Sequence, residues 1–182
     1  MKKAFVFLAD GFEEIEAITI IDMLRRAGIS TQTVSITDNN EVTGAHQITV
    51  QADTLISQIS TEQAKALILP GGMPGSTNLK NCDLLTTLLQ TQNQNEGCIA
   101  AICAAPTVLA HAGILKNKNV TCYPGFEDQL EGANHKTHTV VIDQNIITSR
   151  GPATAAAFAH ALIEFLSNKD RADEVAHGML LI

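Results

Sequence analysis

Three short apolar runs each stop abruptly at residues that break a strand, and each is followed by a helix-forming segment. Ala4 to Ala9 ends at Asp10-Gly11, Ala66 to Leu69 at Pro70-Gly-Gly-Met-Pro-Gly75, and Cys98 to Ile102 at Cys103. A strand apolar at every position has both faces buried, and strands alternating with helices meet that condition in a parallel sheet covered on both sides. Helices are expected over Glu13 to Ala27, Asp83 to Thr91, Pro106 to Ala112, Pro152 to Leu166 and Lys169 to His177. Further strands are expected at Thr31 to Ile36, Val120 to Tyr123, Val140 to Ile142 and Ile146 to Ser149, with a hairpin or edge strand at Val42 to Gln51. In such α/β sheets, sites form beyond the carboxyl ends of the strands. That singles out the loops at Asp10 to Phe12, Pro70 to Gly75 and Cys103 to Ala105.

At 182 residues the chain reads as one domain spanning 1–182. A domain of this length buries roughly 70% of its unfolded surface and needs no metal or disulfide staple. The 12 Lys and Arg against 19 Asp and Glu give a net charge of -7, which argues against a nucleic-acid partner. No apolar run approaches the roughly 20 residues that span a bilayer, and Met1-Lys2-Lys3 leads straight into the first strand rather than into a secretory segment. The four cysteines, Cys82, Cys98, Cys103 and Cys122, form no Cys-x-x-Cys pair and no zinc spacing. They are expected to be free thiols in a reducing cytoplasm, with no metal bound.

Cys103 is the sharpest chemical feature. A thiol at a strand-to-helix corner faces backbone N–H groups, and a helix N-terminus lowers a thiol pKa toward the nucleophilic thiolate. A small buried hydrophobe at a strand end is the plain alternative. Glu16 shares a helical face with Ile20, Met23, Leu24 and Ala27, so its carboxyl is expected to be partly desolvated and able to hold a proton near neutral pH. The plain alternative, an exposed first-turn acid favoured by the helix dipole, suits Glu13 and Glu14 better. Gly71-Gly72 permits backbone amides to approach an oxyanion beside Cys103, whereas the same turn lacks both the P-loop ending and the dinucleotide spacing.

Together these segments resemble the ThiJ/PfpI superfamily, and most closely the branch containing the human parkinsonism-associated deglycase and its small bacterial relatives. The resemblance rests on Asp10-Gly-Phe-Glu-Glu-Ile-Glu16, Arg25-Arg-Ala-Gly-Ile29, Leu69-Pro-Gly-Gly72 with Asn78-Leu79, Ala100-Ala-Ile-Cys-Ala-Ala-Pro106 and Thr148-Ser-Arg-Gly-Pro152, in order along nearly the whole chain. It implies a flavodoxin-like three-layer α/β sandwich, usually a homodimer, with a nucleophile elbow at Cys103 and a protonated Glu16 against it. It also implies an oxyanion pocket from the amides of Gly72 and Ala104. The implied activity is cofactor-independent and acts on a small aldehyde or dicarbonyl substrate, as a glyoxalase yielding a hydroxyacid or as a deglycase-type repair enzyme. Many members place a histidine near the cysteine; the corresponding stretch is Gly132-Ala-Asn-His-Lys-Thr-His138, which makes His135 a candidate, with His138 behind it.

Two other roles use the same cysteine. A redox sensor or stress-response holdase would exploit oxidation of an accessible thiol to a sulfinate beside a hydrogen-bonding acid. Intracellular cysteine peptidase activity, known from larger assemblies in the superfamily, ranks below both. Apolar residues nearly all round the first helix, at Ile15, Ile18, Ile20 and Ile21, fit a helix needing more than one partner surface, as a dimer would supply.

Overall fold

The computed structural model describes residues 2–182. In chain order the elements are β1 (Lys3–Leu8), α1 (Glu14–Arg26), β2 (Thr31–Ser35), β3 (Glu41–Thr43), β4 (Thr49–Gln51), β5 (Thr54–Leu55), β6 (Ala64–Leu69), α2 (Gly75–Lys80), α3 (Asp83–Gln94), β7 (Cys98–Ile102), α4 (Pro106–His111), β8 (Asn119–Val120), β9 (Asn134–His135), β10 (Val140–Asp143), β11 (Ile146–Ser149), α5 (Ala155–Leu166) and α6 (Lys169–Gly178). Seven strands form the central sheet in the order β10-β11-β7-β6-β1-β2-β5. Every pairing within it is parallel except β10 with β11. This is the expected flavodoxin-like α/β arrangement.

Alternation along each strand sends side chains into two separate cores. In β1, Ala4, Val6 and Leu8 join the layer containing α1, α5 and α6. Phe5 and Phe7, with Ala9 just beyond the strand, join the layer containing α3 and α4. The same division splits Ala66 and Ile68 from Leu67 and Leu69, and Ala100 and Ile102 from Ile99 and Ala101. Double-sided burial is what makes these runs apolar throughout. No helix among the described residues is long and apolar enough to cross a membrane.

The chain runs from β1 to β2 on one side and later returns to lay β6 on the other side of β1. That reversal is a topological switch point, where the loops after β1 and β6 diverge and leave a crevice between them. Helix α1 begins directly above it. Glu13 caps the helix, its carboxylate accepting from the Glu16 amide at 2.7 Å. At the other end the Ile29 amide bonds the Leu24 carbonyl while Gly28 adopts φ +73, a glycine-terminated C-cap. Arg171 from α6 donates to the carbonyls of Arg26 and Ala27, satisfying further groups that the helix end leaves open.

Several local expectations change. The strand expected over Val120 to Tyr123 stops at Val120, and the chain then turns so that the Tyr123 amide reaches the Cys103 carbonyl at 2.8 Å. The glycine- and proline-rich turn after β6 gives way at Gly75 to a short helix, α2. Pro152 opens a single 3-10 turn ahead of α5 rather than the helix itself. Residues 42–51 form a two-stranded antiparallel sheet, β3 with β4, outside the main one. Glu13 and Glu14 are not exposed: both are buried, Glu13 as the cap and Glu14 beneath the β3-β4 hairpin, accepting from the His46 amide at 2.6 Å and meeting His46 Nδ1 at 2.8 Å.

Candidate active site

Cys103 follows the last residue of β7 with φ +65, in the left-handed region that side-chain-bearing residues avoid. Such a conformation costs about 1–3 kcal/mol and persists only where surrounding contacts over-determine it. Here both backbone groups of Cys103 are fixed. Its amide donates to the Ser149 carbonyl of β11 at 3.0 Å, and its carbonyl accepts from Tyr123 at 2.8 Å. The side chain is thereby turned out of the sheet at its carboxyl edge, between a strand and a helix, as on a nucleophile elbow.

Glu16 enters from α1. It is fully buried, and Oε2 accepts from the Gly71 amide at 2.7 Å. Its second oxygen, Oε1, is buried without a hydrogen-bond partner in the protein. The carboxyl lies against the Cys103 side chain, and the amides of Gly72 and Ala104 lie close enough to the same sulfur to favour its ionised form. Helix α1 and the turns that follow β6 and β7 therefore each contribute a group beside a single sulfur.

Glycine at position 71 is a steric requirement. A Cβ there would lie 2.6 Å from the Cys103 Cβ and 2.9 Å from Glu16 Oε2. At Gly72, φ is +93 and a Cβ would stand 2.4 Å from the Glu13 amide nitrogen. The tight Gly-Gly turn is what lets two consecutive amides serve two different acceptors, Gly71 the carboxyl and Gly72 the sulfur.

Burial pushes the Glu16 carboxyl up to about 7, against smaller lowering contributions from the Gly71 amide and from Cys103. At neutral pH this carboxyl is poised to hold or to accept a proton. The Cys103 thiol moves the other way from expectation. Burial, and then the charge of ionised Glu16, push it up to about 12, outweighing the amides of Gly72 and Ala104. The helix invoked to lower it, α4, begins only at Pro106 and runs for 6 residues, while the sulfur sits in the apolar layer under Glu16. The two groups are neighbouring acids: burial sets most of the thiol's rise, and the negative charge of Glu16 adds to it.

Cys103, Glu16, Gly72 and Ala104 thus come together. His135 sits in β9 opposite Val120, near Glu127, and makes no hydrogen bond with Cys103 or Glu16. His138 is exposed in the following loop. The residue beside the cysteine is instead Tyr123, whose ring lies on Gly151 and meets Phe126 edge-on at 6.5 Å. The Tyr-Pro-Gly sequence at the end of an expected strand was the available signal for it. Among the described residues, one group has the composition of a metal site, Glu13, Glu14 and His46, with ligand atoms within 4.8 Å of one another. Both Glu14 oxygens are already engaged by His46 and a Glu13 oxygen caps α1, so these donors hold the hairpin to the helix.

Comparison with known proteins gives a consistent result. Residues 2–165 match the model of the DJ-1/PfpI family. Protein dj-1beta of Drosophila melanogaster is 41% identical over 184 residues, covering 99% of this chain and 97% of that protein. Glutathione-independent glyoxalase DJR-1.2 of Caenorhabditis elegans is 32% identical over 183 residues, with 99% and 97% covered. The structure of oxidized Toxoplasma gondii DJ-1 superposes with a TM-score of 0.95 at 39% identity, over 99% of this chain and 98% of that one.

Proposed function

The chain belongs to the DJ-1/PfpI family, and from that premise we propose that it is a cysteine-dependent glyoxalase converting small 2-oxoaldehydes such as methylglyoxal to hydroxyacids. The observation that carries this reading is the buried Cys103–Glu16 pair with the amides of Gly72 and Ala104 on the sulfur. A relative bearing the name glutathione-independent glyoxalase supports the reaction class.

In the proposed mechanism the Cys103 sulfur attacks the aldehyde carbon while Glu16 takes the thiol proton, so no free thiolate need accumulate. The proton passes from Glu16 to the new alkoxide, giving a hemithioacetal. The amides of Gly72 and Ala104, already directed at negative charge on sulfur, transfer their hydrogen bonds to the oxygen that inherits it. Glu16, again a carboxylate, removes the hydrogen from the former aldehyde carbon as the neighbouring carbonyl oxygen takes up a proton to give an enediol, and returns a proton to the adjacent carbon as the hydroxyl on the sulfur-bearing carbon gives up its own. The product of that shift is a thioester on Cys103. Water hydrolyses it, releasing the hydroxyacid and the thiol, so methylglyoxal and one water yield lactate. A carboxyl with a pKa of about 7 suits both proton removal and proton return at neutral pH.

Four free cysteines support a reducing, cytoplasmic setting. On α1, Ile15 and Ile18 are 59% and 45% exposed, and a second copy of the chain covering them would form the homodimer we assign to this branch. A deglycase-type activity would use the same addition step on a glycated side chain. The redox-sensor reading is favoured by one specific feature, the unpartnered buried Oε1 of Glu16, which would gain a partner if oxygen were added to the sulfur.

Turnover of methylglyoxal by freshly reduced protein, alongside Cys103→Ala and Glu16→Gln, tests the proposal. Saturable lactate formation abolished by Cys103→Ala and strongly reduced by Glu16→Gln is the expected result. Absence of turnover, with Cys103 still the thiol oxidised first by peroxide, would replace the enzyme with the sensor.

A further inference from the structure

Beside the reactive corner lies a cavity of about 200 Å³ between α2, α4 and the 3-10 turn at Glu127–Gln129, walled by Met73, Ser76, Lys80, Thr107, Phe126 and Gln129 among others. Three of its walls are tied to the groups that surround Cys103. Met73 is the next residue after Gly72. The Thr107 hydroxyl donates to the Ala104 carbonyl at 2.7 Å. Phe126 packs edge-on against Tyr123, whose amide holds the Cys103 carbonyl. The cavity therefore adjoins the segments after β6 and β7 that carry Gly72, Cys103 and Ala104.

Its chemistry is specific. Ser76 is only 2% exposed, and its hydroxyl has no hydrogen-bond partner in the protein. A buried hydroxyl in that condition carries a desolvation penalty that a ligand oxygen would relieve. Lys80 and Gln129 add donors, Thr107 a second hydroxyl, and no acidic side chain lines the space. Met73 and Phe126 supply apolar contact. Alternating hydroxyl and C–H surfaces are what a short polyol chain presents, with its C–H faces against an aromatic ring and its oxygens toward donors. The volume is below the 300–1,000 Å³ typical of sites for drug-sized molecules, so it suits a tail of a few carbons.

We propose that this cavity is a substrate subsite that receives the hydroxylated tail of a sugar-derived 2-oxoaldehyde while its aldehyde carbon meets Cys103. The proposal rests on the dicarbonyl reading of the site and narrows its substrate class from methylglyoxal to longer, hydroxylated relatives.

The test compares 3-deoxyglucosone, a 2-oxoaldehyde with a hydroxylated tail, with methylglyoxal in the intact protein and in Ser76→Ala and Gln129→Trp. The second substitution, on an exposed residue of the rim, obstructs the cavity without disturbing the core. Each variant is expected to lower kcat/KM for 3-deoxyglucosone by about tenfold or more while leaving methylglyoxal within about twofold. Equal effects on both substrates, or none on either, would overturn the subsite. Calorimetric binding of 3-deoxyglucosone to the Cys103→Ala protein, with and without Gln129→Trp, separates this idea from the reaction itself. Binding that Gln129→Trp abolishes supports the subsite even where no turnover occurs. Absent binding, or binding indifferent to that change, removes it even where methylglyoxal is consumed.

Discussion

The two ends of β7 each bear a cysteine, Cys98 at the first position of the strand and Cys103 just past the last. Both are buried and both thiols are pushed up to about 12. The causes differ. At Cys98 burial alone acts, and no polar group is positioned to reverse it. At Cys103 burial is joined by the negative charge of Glu16 and opposed by two amides. A thiol raised only by desolvation is inert, because nothing in its surroundings changes with substrate or pH. A thiol raised partly by a neighbouring carboxylate loses that part of the shift when the carboxylate is protonated, so its ionisation responds to its partner. The magnitude of the shift does not separate the two cysteines; the partners do.

The largest expected effect sharpens this comparison directly. Cys103→Ala should reduce lactate formation by about 10⁴-fold, the scale on which removing a covalent nucleophile acts, whereas Cys98→Ala should leave the rate within about threefold. Comparable losses from both, in steady-state assays on folded protein, would dissolve the distinction. Glu16→Gln comes next, with a loss of about 10²–10⁴-fold for a missing proton shuttle. The same change removes the charge that raises the Cys103 thiol, so iodoacetamide should label Cys103 faster in Glu16→Gln than in the intact protein at pH 8. Labelling of Cys98 should not change.

Gly71→Ala strikes the geometry rather than the chemistry. The added methyl meets the Cys103 Cβ at 2.6 Å and the Ile102 carbonyl at 2.8 Å, so backbone must move. A destabilisation of about 1–3 kcal/mol, typical of overpacking, should accompany loss of most activity. Thermal unfolding and turnover measured on one preparation check both. Retention of full activity would mean that the Glu16–Cys103 contact tolerates displacement.

Glu16 also gives stability a pH dependence. Its carboxyl rises from 4.5 to about 7 on folding, so between those values the folded state binds more protons than the unfolded one. Stability from this group is present below pH 4.5 and declines as pH rises through 7, by about 3 kcal/mol in full. Glu16→Gln should remove that slope, so the variant becomes more stable than the intact protein at pH 8 and not at pH 4.5. Cys98→Ala should keep the slope. Chemical denaturation across that range would break the comparison if both variants behaved alike.

How much of this was legible in the sequence follows from distance along the chain. The long strands of the sheet were legible because burial on both faces leaves an unbroken apolar run. β5 and β9, of 2 residues each, carry no periodicity to read. α2 was hidden by its composition, since Gly75–Lys80 holds only one large apolar residue, Leu79. Cys103 and Glu16 stood out through strand-end position and an anomalous charge on an apolar helical face. Burial of Glu14 did not, because its partner His46 lies 32 residues away on a separate hairpin. For Tyr123 the Tyr-Pro-Gly sequence marks a turn, but its backbone contact with Cys103, 20 residues away in sequence, has no local signal. The thiol's raised pKa was missed for the same reason: the helix N-terminus is local in sequence, but the burial and the carboxylate that outweigh it are not.

The smallest expected effect concerns the two cysteines as packing elements alone. Cys98→Val replaces a buried thiol in a strand, where β-branched residues fit the pleated backbone, and should change stability by less than about 1 kcal/mol. Cys103→Val makes the same chemical exchange at φ +65, where a β-branched side chain collides with its own backbone. It should cost about 1–3 kcal/mol, independent of any loss of activity. If the two substitutions shifted the urea midpoint equally, the left-handed corner would carry no stored strain. Cys103 would then be held outward by the hydrogen bonds to Ser149 and Tyr123 alone, and a glycine at position 103 would give no relief.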